Sequence, residues 1–308
     1  MNRLRMYTIE LALVLVLAAA VSYFGYLGYG LLTPSFVAEP FSGERALQFA
    51  ARQLEFGERP TGDLATIRMS DWLTEELRML GWDVVIQEFT TPQGEPARNI
   101  IAIRSPTQAS ARTALLMTHY DTRMYADRDP DPENHIQPAP GANAGASGTA
   151  VLLELARTLD VPATGHTICL VFLDAEENGG IEGWEDGLGS RYLVERLERD
   201  IPRCRVPRFA LYLDLVGAAN HRFYAESTSH PALTTAIWQV AAEQGAGAVF
   251  INEPTWSATD AHSLFQAAGI PAATIADYAY PHRDTLADTL DKLSAESLGR
   301  VGATLKAW

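Results

Sequence analysis

The stretch TALLMTHYD, residues 113–121, begins with an apolar run that lacks polar alternation and ends in an imidazole and a carboxylate, His119 and Asp121. A strand with one wet face would alternate with period two, so an unbroken run predicts a strand covered on both faces. The same pattern returns in HTICLVFLD (166–174), RFALYLDLVGA (208–218) and IPAATIAD (270–277). Between these runs lie segments of helical period: GTAVLLELARTL (148–159), GSRYLVERLERD (189–200) and HPALTTAIWQVAAEQG (230–245). Buried strands alternating with helices predict the α/β class, here a three-layer αβα sandwich around a mostly parallel central sheet.

Upstream, FSGERALQFAARQLEFG (41–57) and TGDLATIRMSDWLTEELRMLG (61–81) read as amphipathic helices. The second places Leu73, Leu77 and Leu80 on one face before Gly81 stops it. WDVVIQEF (82–89) and NIIAIRS (99–105) follow as strands around the loop TPQGEPA (91–97), a hairpin pattern. The first forty residues differ in kind: Arg3 and Arg5 precede a run from Leu11 to Ala38 without a charged residue. A membrane helix takes about 20 apolar residues, so this run is long enough to span. Basic residues on its short side predict a cytoplasmic N-terminus and an exported remainder. A cleaved signal peptide is the rival reading, but the run exceeds an ordinary signal core and no small-x-small cleavage site stands out. The expected organisation is a signal-anchor transmembrane helix over 1–38, single-pass in the cell membrane, and one extracytoplasmic domain over 39–308. Export permits disulfides: Cys169 reads as a buried thiol within its apolar run, and a bridge to Cys204 stays open.

The balance of 38 acidic against 24 basic residues gives a net charge of −14, which repels nucleic-acid phosphates and excludes nucleic acid as a partner. The segment ADRDPDPENHIQPAPGAN (126–143) is a long loop inside a compact domain, and such loops are usually functional.

In open α/β sheets ligands bind beyond the carboxyl ends of the strands. Four apolar runs end there in ionisable groups: His119 and Asp121; Asp174, Glu176 and Glu177; Asp214; and Asp277, His282 and Asp284. One such carboxylate by itself reads as a helix cap or an arginine partner. Four coinciding at one rim, with imidazoles and no lysine, read as a divalent-metal site, since clustered like charges need a cation. Histidine with carboxylates points to zinc. No G-x-S-x-G elbow, phosphate-binding lysine loop or dinucleotide glycine fingerprint is present. Ser147 reads as a helix cap rather than a nucleophile.

These motifs together resemble the zinc-dependent exopeptidases that include bacterial leucyl-type aminopeptidases and glutaminyl cyclases, metallopeptidase family 28, from about Phe41 to Leu298. THYD looks like the family's H-x-D motif, which implies His119 as a zinc ligand and Asp121 orienting it. LDAEENGGIEGWEDGLGSRYL (173–193) resembles the segment whose glutamates imply Glu176 as general base and Glu177 as ligand. LYLDLVGA matches at Asp214, a ligand in the peptidases and a hydrogen-bonding group in the cyclases; this match and GLGSRYL lean toward the cyclases. The resemblance implies one or two zinc ions and peptide or protein N-termini as substrate.

Three positions depart from the family. Where it reads GANDGASG, with a bridging aspartate, this chain reads GANAGASG (141–148) and places Ala144. Where the family has DDH, this chain has Asp260, Ala261 and His262. The register of the last zinc histidine falls on Asp284, with His282 two residues upstream as a substitute. Two functions follow as expectations: a membrane-anchored, exported aminopeptidase-like or cyclase-like enzyme, or a catalytically impaired pseudoenzyme serving as a peptide-binding module. Trp184 and Trp256 are candidates for a substrate pocket or for the core.

Overall fold

The computed structural model describes residues 3–32, 39–106, 112–255 and 260–308. The chain divides into two compact units, Met1–Glu39 and Pro40–Trp308. The first holds helix α1 (Arg3–Leu32), with side chains described over 11–25. Among the described residues no helix is long and apolar enough to cross a membrane. The expected span over 1–38 is therefore not shown, and much of it lies outside the described side chains.

The second unit opens with α2 (Gly43–Leu54) and α3 (Leu64–Met79), then the hairpin β1 (Asp83–Thr90) and β2 (Pro96–Arg104). There follow β3 (Arg112–His119), α4 (Gly148–Thr158), the single turn α5 (Val161–Thr164), β4 (His166–Leu173), α6 (Leu188–Asp200) and β5 (Phe209–Asp214). The chain continues through β6 (Phe223–Glu226), α7 (Pro231–Glu243), β7 (Phe250–Thr255), α8 (Ala261–Ala267), β8 (Ala272–Ala276) and α9 (Ala295–Ala307). The main sheet has six strands in the order β1-β2-β4-β3-β5-β8, with β6 and β7 forming a small separate pair. β3 runs parallel to β4 and β5, and β5 parallel to β8, while β2 is antiparallel to β1 and β4. The mostly parallel sheet is as its unalternating strand sequences predict.

Period-two alternation sends neighbouring strand residues into two different cores. Ala114, Leu116, Leu170, Phe172, Leu211 and Leu213 pack with helices α2, α3, α4, α7 and α9. Leu115, Met117, Val171, Leu173 and Tyr212 pack with α6 and α8 on the other face. Two apolar faces on each strand are what a three-layer sandwich requires. Cys169 of β4 is disulfide-bonded to Cys204, tying the sheet to the segment after α6 and replacing the free-thiol reading.

The turn Gly141–Gly148 is pressed against the ends of β3 and β5. A Cβ on Gly148 would lie 2.1 Å from Thr118 Oγ1, and one on Gly145, at φ +94°, would lie 2.6 Å from the carbonyl oxygen of Asp121. The buried Arg59 side chain donates to the carbonyls of Tyr120, Gly57, Pro140 and Gly141, locking this turn to the end of β3. From the other side, Asp288 accepts the backbone N–H groups of Asn143 and Ala144 at 2.8 and 3.0 Å. These contacts fix the backbone whatever side chain position 144 carries.

Candidate metal centre

The carboxyl ends of β3, β4 and β5 bring three donors together. One ligand atom each from His119, Glu177 and Asp214, all buried, lies within 4.8 Å of the others. His119 Nε2 is 3.3 Å from Asp214 Oδ1 and 3.5 Å from Glu177 Oε1. Its other ring nitrogen, Nδ1, faces Asp121 Oδ1 at 3.3 Å and the Asp121 carbonyl at 3.2 Å. Two acceptors at Nδ1 place the proton of a neutral ring there and leave the Nε2 lone pair facing the carboxylates. Asp121 also accepts the backbone N–H groups of Glu176 and Glu177 at 3.0 and 3.1 Å, so one carboxylate orients both the imidazole and the segment leaving β4. That segment is further pinned by Arg123, which donates to the carbonyls of Glu177 and Gly179.

The backbone turns sharply at these exits. Ala175, Leu215 and Asp284, after β4, β5 and β8, have φ of +60°, +53° and +58°. Left-handed conformation in non-glycine residues costs of order 1–3 kcal/mol each, and such strain gathers at sites where side chains must be aimed.

Charge is strongly frustrated here. Burial opposes a charged imidazole, but Glu177, Asp121 and Asp214 overcome it and hold His119 well above its usual value. Burial pushes Glu177 up to about 8, partly offset by His119 and Arg283. Glu176 is also pushed up to about 8 by burial, although the Ser190 N–H donates to it. These carboxyls hold protons where a cation would compensate them instead. Three protein ligands are usual for a catalytic zinc ion, and one imidazole with two carboxylates suits zinc chemically. The donors present therefore fit one such cation.

Glu176 stands beside the trio and does not belong to it. Its two oxygens accept from the Ser190 N–H at 2.6 Å and the Ser190 hydroxyl at 3.1 Å, at the start of α6. Glu176, Glu177, Asp214 and Trp184 line a cavity of about 550 Å3, with Asp260 and Arg283 among its other walls. Trp184 thus occupies a pocket wall, while Trp256 lies outside the described residues.

Asp284 and His282, also expected as ligands, are not among the three donors that converge within 4.8 Å in the described residues. Asp284 is buried, with Arg128 Nε at 3.4 Å and Arg283 Nε at 3.6 Å. His282 lies along a second cavity, of about 400 Å3, with Tyr280, Asp277 and Lys292. Neighbouring side chains on this extended loop leave it in different directions, which its sequence register did not reveal. Ala144 packs against Leu215, Ala218 and Tyr280 and offers no donor. The Asn143 side-chain oxygen accepts from the Gly217 N–H at 2.7 Å, and the Ser147 hydroxyl donates to the Asn143 carbonyl, so neither faces the cavity as a reactive group. Asp174 and Asp277 follow the structural reading of a strand-end carboxylate: each accepts backbone N–H groups around it.

Sequence reasoning matched Asp260 to the family's DDH motif without giving it a role, and passed over Arg283. Asp260 caps α8 through the Ala261 N–H, accepts from the Tyr278 hydroxyl at 2.6 Å and lines the cavity. No local signal marks Arg283, whose place depends on the loop after β8.

A model of Peptidase family M28 matches residues 99–308. A Zn-dependent exopeptidase from Parabacteroides distasonis is similar at 30% identity and a TM-score of 0.79, over 88% of this chain and 98% of that one. A glutaminyl cyclase from Porphyromonas gingivalis is similar at 33% identity and a TM-score of 0.78, over 87% of this chain and 98% of that one. Aminopeptidase YwaD of Bacillus subtilis is 31% identical over 127 residues, 41% of this chain and 23% of that protein. A probable zinc metalloprotease of Pyrenophora tritici-repentis is 30% identical over 185 residues, 53% of this chain and 35% of that protein. The matched region is thus about a third or less of the length of these curated relatives.

Proposed function

The chain belongs to peptidase family M28, and from this membership we propose that it performs zinc-dependent acyl transfer at peptide N-termini, as an aminopeptidase or a glutaminyl cyclase. One observation carries the reading: His119, Glu177 and Asp214 converge as a three-donor cluster at a cavity that also presents Glu176. A zinc ion held by these three would supply Lewis acidity to a substrate carbonyl. Glu176 is placed to take a proton from the attacking water or substrate amine and to return it to the leaving amine. Ser190 fixes its carboxylate at the cavity wall by donating to both oxygens. Asp121 holds the imidazole and the Glu176–Glu177 backbone in register, and Trp184 forms part of one wall.

A second reading, a peptide-binding module without catalysis, is favoured by Ala144, which replaces a carboxylate with a methyl group in an intact turn. Zinc-loaded full-length protein assayed on aminoacyl-arylamide and glutaminyl-peptide substrates separates the two. Turnover that Glu176→Gln lowers by about 100-fold or more, with zinc content unchanged, is expected for the enzyme. No turnover of either substrate class, with tight peptide binding retained, would instead support the module.

The uncharged run Leu11–Ala38 supports a membrane anchor, and the Cys169–Cys204 bond supports an oxidising, extracytoplasmic location for the domain. Resistance to alkaline extraction, together with protease sensitivity of the domain from outside the cell membrane, is the expected result. Release as a soluble protein would remove the anchor.

A further inference from the structure

The carboxylates at this centre extend beyond the three donors. Asp260 and Asp284 lie on the β8 side, Asp284 buried and Asp260 half-buried, and burial pushes both carboxyls upward while nearby arginines pull Asp284 back down. Asp284 Oδ1 is buried with no hydrogen-bond partner. The loop after β8 delivers one cation directly to this side. Arg283 lines the same cavity as Glu176, Glu177, Asp214 and Asp260, and its Nε is 3.6 Å from Asp284 Oδ2. That Nε is itself buried without a hydrogen-bond acceptor, so the guanidinium is held there by charge and enclosure rather than by a well-formed fork. Glu177, Asp214, Asp284 and Asp260 are the carboxylates whose charge acts on it. Arg128 also reaches Asp284, at 3.4 Å, but it is 64% exposed and approaches from the rim.

The local backbone explains why this residue and not its neighbour enters the cavity. Asp284 is left-handed, at φ +58°, and its carbonyl accepts from the Arg128 N–H at 3.2 Å. Within that turn His282 leaves toward the second cavity and Arg283 toward the carboxylates. An arginine is the suitable residue, because its guanidinium stays charged under any physiological condition and is more weakly hydrated than an ammonium.

We propose that Arg283 is a built-in cation of the metal centre: it neutralises the carboxylates on the β8 side and limits the site to one exchangeable divalent ion. Arg283 is a positioning and charge-balancing residue in this account, not a ligand. The inference rests on the reading of His119, Glu177 and Asp214 as a cation site. A fixed positive charge repels a second ion electrostatically, and between partly buried groups that repulsion is screened less than at the surface.

The test is zinc titration of the full-length protein, by calorimetry and by metal content after gel filtration, on wild type, Arg283→Met and Arg283→Lys, with thermal unfolding as the folding control. Wild type and Arg283→Lys are expected to bind at most one zinc. Arg283→Met is expected to bind that zinc at least about tenfold more tightly, or to take up a second. If wild type binds no zinc but Arg283→Met binds one, the inference stands and the proposed metal centre of the native chain falls. Two zinc ions on wild type would overturn the inference while leaving the metal centre intact. Equal stoichiometry and affinity across the three proteins would also overturn it, and absence of binding in all three would overturn both. If Arg283→Met fails to fold, Arg283→Gln serves as the neutral variant with the same expected outcome.

Discussion

Two stretches of this molecule hold equivalent places at the rim of one sheet and differ in what they have kept. The exits of β3, β4 and β5 present His119, Glu176, Glu177 and Asp214 with their supporting Asp121 and Ser190 contacts in place. The turn Gly141–Gly148 and the loop after β8 have equally tight backbones, but they present Ala144, Arg283 and Asp284. Backbone scaffolding and side-chain chemistry are therefore separable. Arg59 and Asp288 hold the turn through main-chain groups alone, so a methyl can replace a carboxylate at position 144 without moving the chain.

The comparison breaks most visibly if the scaffold is removed. Arg59→Met leaves four carbonyls around the turn without their buried donor. Denaturant unfolding is expected to show a loss of about 3–5 kcal/mol, the usual cost of breaking a buried charged network. A loss under 1 kcal/mol would mean the turn is held by packing instead.

On the chemical side, His119→Ala should weaken zinc binding by more than about 100-fold. Altering groups that merely support metal ligands already costs 10–100-fold, and this change deletes a ligand. Unfolding midpoints without metal should shift far less. Retained affinity in this variant would move the cation site away from the end of β3.

Zinc affinity should also depend on pH in a defined direction. Glu177 stands at about 8 and His119 well above its usual value, so both carry protons that a cation must displace. Raising pH through this window removes the competitor, and lowering it restores the competitor. Affinity is therefore expected to rise between pH 6 and 8, by up to about tenfold per unit for each proton displaced. A flat profile in competition titrations would contradict the frustrated charge at the trio.

The smallest effect is expected from refilling the turn. Ala144→Asp places a carboxylate against Leu215 and Tyr280, on a backbone already fixed by Asp288. The fold should persist, with stability lowered by about 1–3 kcal/mol from desolvation and zinc affinity raised by roughly tenfold. Unchanged affinity would show that the missing aspartate does not limit the centre.

Much of the architecture could be read from residue order. The runs 113–121, 166–174, 208–218 and 270–277 became β3, β4, β5 and β8, because two-sided burial leaves an unalternating apolar signature. Their terminal His119, Glu177 and Asp214 converge because parallel strands place their carboxyl ends on one edge. By contrast, the loop after β8 defied register reading. His282 and Asp284 are only two residues apart, yet one enters a separate cavity and the other pairs with arginines. Such directions depend on the left-handed turn at Asp284 and on what encloses it, and a linear spacing carries neither.

The sequence alone thus determined the layers, the strand-end placement of the donors and the absence of a carboxylate at Ala144. Those properties follow from periodicity and residue identity, which are local. Only the tertiary structure decided which donors meet, that Cys169 and Cys204 are bonded, and that a guanidinium stands among the carboxylates. Each of these depends on loops from distant parts of the chain, whose burial and charge exist only once the sheet has brought them to the same rim.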